Sequence, residues 1–504
     1  MTLSLTRRLI DELNEQDVEY CHWKSNCRVD GVFSGETDID LLVGQGSVAQ
    51  FHRIIFNLEF KAAELPDSDE SHSVVHFYGF DEASGILVHL HVYYRVITGG
   101  SILKNYHLPI EGMLLENTTA VNGLKVPDRA AELGLFVIRK MIEHGTAVEL
   151  LMVRREIDEV RDEIDWLLGD DPMATIERAC VVIRKWLPTI DPDLLRSGIG
   201  VLRDSNSLAR LFGVARRFRR ALESYQLHGW VASECLLVYR FGMKVFHRFF
   251  VRNRTHTFRS GGIVIAITGP EATGKSTVVN ELQDWLGEHF TLKMLHAGKP
   301  PSSWLTWLPN RLTPLLRRTM RNFRTTNIEA DLQDAENDVG SQSQRPRGLR
   351  LVVYAVRSLM IAFDRKTVLG QAYRRASCGT IVICDRYPSR RVGAMDSAQL
   401  DPQAEDVQAS KFCSRVARIE NHIYETIPQP NVAIQLTVSA DIAVERDRAR
   451  SKSKKGCEGE DYVRRRHKQA EKQEYALSHA VRIDTSQPIE SSLLAIKKAI
   501  WSQV

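Results

Sequence analysis

The residues best suited to chemistry begin in the stretch ITGPEATGKSTVV, residues 267–279. Gly269, Pro270, Glu271, Ala272, Thr273, Gly274, Lys275 and Ser276 spell GxxxxGKS, directly after the buried-strand pattern GIVIAIT. A strand, a glycine-bearing loop and a helix in that order make a phosphate cradle. Gly269 and Gly274 allow successive backbone N–H groups to turn inward, with Ala272 and Thr273 completing the loop and Thr277 opening the helix beside it. Lys275 supplies a point charge for terminal phosphates, and the Ser276 hydroxyl can ligate magnesium. The expected cofactors are therefore ATP and Mg2+.

Two further elements carry matching chemistry. In GTIVICDRYPS an apolar run ends at Asp385, Arg386 and Tyr387. A strand with that ending delivers a carboxylate and a guanidinium to the carboxyl edge of an α/β sheet, where ligands bind. Asp385 can hold a magnesium shell or accept a proton, and Arg386 can fork onto phosphate oxygens. In PNVAIQLTVSADIAVERDRARSKSKKG a strand gives way to a helix bearing Arg446, Arg448 and Arg450, then a turn with Lys452, Lys454 and Lys455. Cations at that density suit a closing lid that neutralises a transferred phosphoryl group.

The elements that must position these residues follow from the hydrophobic periods. At 504 residues the chain is too long for one ordinary core. Residues 1–120 mix an opening helix with β-branched and aromatic runs such as DIDLLV and ILVHLHVYYRV, a small α/β unit. Residues 121–255 turn to 3.6-residue periodicity and read as helical. A polar basic segment closed by Gly261 and Gly262 marks a boundary, and residues 262–504 alternate strands and helices as a parallel sheet covered by helices does. Within that region residues 325–348 lack either period and read as a mobile insert. The fold class is α/β.

Composition is that of a folded globular protein, with 43% hydrophobic and 26% charged residues. A net charge of +4 does not advertise a nucleic-acid partner, and the eight cysteines show no CxxC pair that would mark a zinc site or a disulfide framework. The opening lacks an apolar export core, and ECLLVYRFGMKVFHRFF is interrupted by Arg240, Lys244 and Arg248, so no transmembrane segment is expected. A cytoplasmic location fits reduced thiols.

Taken together, GPEATGKS, DRY and AVERDRAR resemble the thymidylate kinase family of P-loop nucleoside monophosphate kinases over about residues 262–504. The family's loop reads GxDGxGK[ST]; Glu271 keeps its acid, while Ala272 replaces its second glycine. The resemblance implies that Glu271 and Arg365 contact an acceptor, Arg365 standing at the family's offset before the DRY strand, with Arg386 at the same substrate. The family's TREPGG segment has no counterpart in LKMLHAGKPPSSWL, which offers only Lys299. The acceptor pocket is thus expected to differ from the family's.

GETDIDLLV places Asp38 and Asp40 on one strand face after a small-residue turn, a pattern that suits a two-metal clamp. It resembles the Gly-rich turn and DxD strand of the nucleotidyltransferase superfamily over about residues 15–110. That superfamily has a third acid on a later strand, where His89 and His91 stand here. A softer ion held by Asp38, Asp40, His89 and His91 is the alternative, with Lys24 and Ser25 as further polar candidates. The leading expectation is ATP-dependent phosphoryl transfer to a nucleoside monophosphate, dTMP-like, or a related small phosphorylated metabolite. Lys275, Asp385, Arg386, Arg446 and Arg450 would carry the chemistry. Nucleotidyl transfer by the first unit, or a nucleotide-gated regulatory or defence NTPase, are the competing readings.

Overall fold

The computed structural model describes residues 2–65, 74–100, 103–143, 147–204, 207–250, 255–298, 300, 349–389, 391–394, 396–451, 460–470 and 480–504. The segment 325–348 and the lysines Lys299, Lys452, Lys454 and Lys455 lie outside them. The chain divides into two compact units, Met1–His256 and Thr257–Val504. Among the described residues no helix is long and apolar enough to cross a membrane.

In the N-terminal unit, strands β1 (Tyr20–His22), β2 (Ile39–Val43), β3 (Lys61–Glu64), β4 (Val75–Asp81) and β5 (Ile86–Tyr93) lie in the order β1-β2-β5-β4-β3. Only β2 and β5 pair in parallel; β1–β2, β4–β5 and β3–β4 are antiparallel. Strand alternation sorts the side chains. Ile39, Leu41, Phe77, Val88, Leu90 and Val92 turn to one face and form a core with Leu9, Ile10 and Leu13 of α1 (Ser4–Glu15) and Phe51, Ile54 and Ile55 of α3 (Val48–Asn57), with α2 (Val29–Ser34) between them in sequence. Asp40, His76, Tyr78, His89 and His91 are left for the opposite face.

Short hairpins follow, β6 (Val96–Thr98) with β7 (Tyr106–Leu108) and, after α4 (Glu111–Glu116), β8 (Thr118–Val121) with β9 (Leu124–Pro127). The second hairpin straddles residue 120, where the sequence placed a domain line. Its turn is Asn122-Gly123 with φ of 52° and 89°, the left-handed pair that a tight two-residue hairpin requires. Helices α5 (Arg129–Glu143), α6 (Ala147–Leu168), α7 (Pro172–Trp186), α8 (Pro192–Asp204) and α9 (Leu208–Ala221) then pack together, before α10 (Trp230–Phe250). Helix α5 is buried nearly all round because its neighbours approach closely: a Cβ on Gly134 would meet Ile183 Cγ1 at 2.4 Å.

The C-terminal unit opens with a two-residue strand β10 (Thr257–Phe258) and is built on β11 (Val264–Thr268), β12 (Leu292–His296), β13 (Ile381–Asp385), β14 (Val432–Thr437) and β15 (Ala480–Asp484), in the order β12-β13-β11-β14-β15. All four pairings are parallel. Helices α11 (Lys275–Gly287), α12 (Leu349–Ala376), α13 (Glu405–Gln408), α14 (Lys411–Glu425), α15 (Ala440–Ser451), α16 (Glu460–Ala470) and α17 (Ile489–Trp501) accompany the strands. Strands β11 and β13 carry unbroken apolar runs because a parallel sheet clothed in helices leaves neither strand face in water.

Ile265 lies on the central strand, fully buried and paired with Ile383 on one side and Val432 on the other. Ile265→Ala is expected to destabilise the C-terminal unit by about 2–5 kcal/mol. Urea unfolding followed by hydrogen-exchange mass spectrometry checks this; protection in the N-terminal unit should be unchanged.

Candidate functional site

The phosphate loop leaves the carboxyl end of β11. Gly269 has φ 144°, and a Cβ there would stand 2.6 Å from the Leu436 carbonyl oxygen, so the turn out of the strand admits only glycine. Gly274 caps α11 with φ 85°. Ala272 also has a positive φ, 59°, a conformation that costs an alanine roughly 1 kcal/mol. Its methyl is buried against Ala443, Val444 and Val463, which offsets that strain and accounts for an alanine at a glycine position. The Thr273 hydroxyl donates to the Pro270 carbonyl oxygen, 2.9 Å away, and the Lys275 ammonium folds onto the same oxygen. Burial brings the Lys275 pKa down to about 8, against the opposing pull of Glu271. Ser276 and Thr277 are exposed at the start of α11.

Parallel register brings the second element alongside. Asp385 is level with Ile267 of β11 and with His296 of β12. Asp385 Oδ2 pairs with His296 Nδ1 at 2.9 Å, while Oδ1 is buried with no hydrogen-bonding partner among the described residues. A buried acceptor left bare is unusual, and a cation ligand accounts for it. Asp385 and the Ser276 hydroxyl offer the oxygen donors that magnesium prefers, so the residues present fit that ion.

Arg386 follows with φ 69°, a left-handed residue at the strand end. Its guanidinium reaches Glu271 Oε1 at 3.3 Å and Asp396 Oδ2 at 3.5 Å. Glu271 Oε1 also receives Arg466 of α16 at 3.2 Å, and His467 Nε2 lies 3.0 Å from the Glu271 carbonyl oxygen. Burial alone would raise the Glu271 carboxyl, but Arg466, Lys275 and Arg386 hold it below its ordinary value. Glu271 thus joins the phosphate loop to α16 and to the end of β13. Tyr387 is buried, its hydroxyl donating to the Pro428 carbonyl oxygen.

The remaining expected residues fall elsewhere. Arg446 of α15 donates to the Thr485 carbonyl oxygen at 2.6 Å and to Thr485 Oγ1 at 3.3 Å. Arg450 is one turn further along α15, its side chain outside the described residues. Arg365 is buried, and all five of its N–H groups face protein acceptors: Ala297 O at 3.0 Å, Gly298 O at 3.1 Å, Asp396 O at 2.9 Å, Asp396 Oδ1 at 2.8 Å and Tyr424 Oη at 2.7 Å. A guanidinium with five donors so engaged offers none to an acceptor molecule. Arg365 instead holds the segment after β12 to the loop carrying Asp396. Sequence reasoning passed over His296, Asp396, Arg466 and His467. Only His296 had a readable signal, a polar residue ending an apolar strand-like run.

The N-terminal unit gathers a second polar constellation on the face of its sheet opposite α1 and α3. Register aligns Asp40, His91 and His76 in one row across β2, β5 and β4, and His89 opposite Tyr78 in the next. His91 Nδ1 lies 3.2 Å from Asp40 Oδ1, and His89 Nδ1 lies 2.9 Å from Asp38 Oδ1. Lys24 Nζ is 2.9 Å from Asp40 Oδ1 and donates to the Tyr93 hydroxyl at 2.8 Å. Burial would raise the Asp40 carboxyl, but His91 and Lys24 overcome it and hold it well below the usual range. Ser25 sits at the left-handed turn after Lys24, with φ 59°.

No family model matches the chain, and no curated protein matches its sequence. Among solved structures, deoxyadenosine kinase from M. mycoides with bound dATP is similar at 16% identity and a TM-score of 0.25, covering 47% of this chain and 97% of that one. A likeness of that order carries no argument about activity, which rests on the geometry above.

Replacing Arg365 by Met is expected to cost about 3 kcal/mol or more, because Asp396 loses the fork that holds it in a buried setting. Chemical denaturation of Arg365→Met and Arg365→Lys measures this. Unchanged stability together with a changed small-molecule affinity would show that Arg365 serves a ligand instead.

Proposed function

We propose that the C-terminal unit is an ATP-dependent, magnesium-requiring kinase. Its acceptor is a nucleoside monophosphate, dTMP-like, or a related small phosphorylated metabolite. The observation that carries this reading is the Asp385 oxygen, bare among the described residues, at the same sheet edge as a glycine-gated loop and a half-buried lysine. Phosphoryl transfer asks a protein mainly for positioning and charge stabilisation, and these groups supply both.

In this reading the loop amides and Lys275 bind the donor phosphates, Lys275 exchanging the Pro270 carbonyl for phosphate oxygens. Ser276 and Asp385 would hold magnesium, which spreads the charge of the phosphates when bound. Arg386 and Arg466, which meet at Glu271, would face the charge that develops on the migrating phosphoryl group, with Arg446 and Arg450 of α15 as the further cations the family resemblance assigns. An acceptor oxygen attacks the γ-phosphorus as the bond to the β–γ bridging oxygen breaks, and ADP leaves. The acceptor class rests on the resemblance of the GPEATGKS, DRY and AVERDRAR elements to thymidylate kinases. We carry the N-terminal unit as a nucleotidyltransferase-like domain, on the strength of the GETDIDLLV pattern, with Asp40 on β2 and Asp38 just before it.

An acceptor screen with γ-labelled ATP and magnesium tests the reading in wild type, Lys275→Ala and Asp385→Ala. Label should pass to a phosphorylated small acceptor, with kcat/KM at least about 100-fold lower in either variant. Tight ATP binding with no transfer to any acceptor would replace the kinase by a nucleotide-gated switch.

The pH dependence has a defined sign. Burial holds Lys275 near 8 in the nucleotide-free protein, whereas phosphates favour its ammonium form. Above about pH 8 binding must therefore take up a proton, and ATP affinity should fall by up to about tenfold per pH unit. Calorimetric titration in two buffers of different ionisation enthalpy detects that proton. Lys275→Arg, charged throughout, should lose the dependence. In the free protein the same lysine lowers stability below about pH 8, a cost relieved as pH rises toward its unfolded value of 10.5.

A further inference from the structure

We propose that the N-terminal unit binds one transition-metal ion of the zinc class through His76, His89 and His91. The three residues come from two antiparallel strands and can each bring one ring nitrogen within 4.8 Å of the others. His76 Nδ1 and His89 Nε2 are 3.1 Å apart. Two nitrogens bound at about 2.0–2.1 Å on a tetrahedral zinc stand about 3.3 Å apart, so this pair is already at the edge length of such a site. The His91 ring closes the group, its centroid 4.4 Å from that of His89 and 4.8 Å from that of His76, nearly perpendicular to both.

The outer nitrogens carry the second part of the argument. A metal-bound imidazole usually donates its other N–H to a carboxylate, which fixes the tautomer and turns the remaining lone pair inward. His89 Nδ1 is placed on Asp38 Oδ1 and His91 Nδ1 on Asp40 Oδ1, so in both rings Nε2 is the nitrogen other than the one on the carboxylate, the His89 Nε2 already beside His76 Nδ1. Asp38 Oδ2, 3.6 Å from His91 Nε2, borders the same point. Lys24 anchors Asp40 from the other side. Asp38 and Asp40 are thus orienting carboxylates for the imidazoles, a different use from the two-magnesium clamp their spacing alone suggests. Three imidazoles select a borderline ion such as zinc or cobalt over magnesium or calcium, whose preferred donors are oxygen. The ligand set also follows from strand register, since pairing β4 with β5 sets His76 directly opposite His91.

The test uses the full chain without a histidine tag. Metal analysis and titration of the stripped protein with Zn2+ and Co2+ should give one ion per chain, the cobalt form showing the intense visible bands of a four-coordinate site. Millimolar Mg2+ should not displace it. His76→Ala and His89→Ala should bind at least tenfold more weakly, and Asp40→Asn should lose about 10–100-fold through its orienting role. His228→Ala, outside the cluster, should bind as wild type. Where an alanine variant does not fold, diethyl pyrocarbonate labelling of the wild type answers the same question. Zinc should protect the peptides holding His76, His89 and His91. Substoichiometric binding, full binding by His89→Ala, or labelling that zinc leaves unchanged would overturn the site.

Discussion

Parallel pairing of β11 with β13 is the constraint on which the C-terminal site depends. It sets Ile267 level with Asp385, so the phosphate loop and the Asp385-Arg386 pair leave the sheet from one edge. Hydrogen-bonded registers shift by whole residues, and a slip of one would turn Asp385 to the opposite face of the strand. What resists the slip is burial: Val264, Ile265, Ala266 and Ile267 face Val382, Ile383 and Cys384 in a core closed to water on both sides. The same edge receives β12, which brings His296 to Asp385. Positions more than a hundred residues apart in sequence meet because apolar strands have one way to stack.

Much of this was legible because it is local. Strand, loop and helix around Gly269 and Gly274 are contiguous, and the apolar run into Asp385 states its own strand. The alternation of Asp38 with Asp40 and of His89 with His91 likewise needs only a period of two. What stayed hidden is tertiary. Nothing in the residues around His76 says which strand it will face, and nothing around Arg466 or His467 says that their helix meets the Glu271 loop. Arg365 is the converse case: its offset from the DRY motif fits a pattern, yet its setting among Ala297, Gly298, Asp396 and Tyr424 uses every donor it has. Ala272 departs from a glycine pattern for a reason visible only in the fold, the apolar contact of its methyl.

The charges around the loop after β11 rest on protein acceptors. Lys275 rests on a carbonyl, while Arg386 and Arg466 share one oxygen of Glu271. Arg386 reaches Asp396 as well, so Glu271 and Asp396 together fix its guanidinium at the strand end. In the proposed kinase a polyanion entering the loop would meet cations already held in position. The depressed pKa of Lys275 belongs to the same arrangement: burial leaves its ammonium under-solvated.

The two units place chemistry on a sheet in opposite ways, and the sheets themselves explain why. A parallel sheet sheathed in helices spends both faces on packing, so polar groups concentrate where strands end, as at Asp385 and Gly269. The mixed sheet of the N-terminal unit packs α1 and α3 against one face, while on the other Leu42 and Tyr93 join the core of the following helices and Asp40, His76, His89 and His91 form a polar group beside them. There polar residues gather in the strand interior, and cross-strand register rather than a strand end brings them together. Asp40, His91 and His76 form one row for that reason, with spacing set by the distance between hydrogen-bonded strands. Strands so paired stand about 4.8 Å apart, close enough for imidazoles on neighbouring strands to converge on one ion.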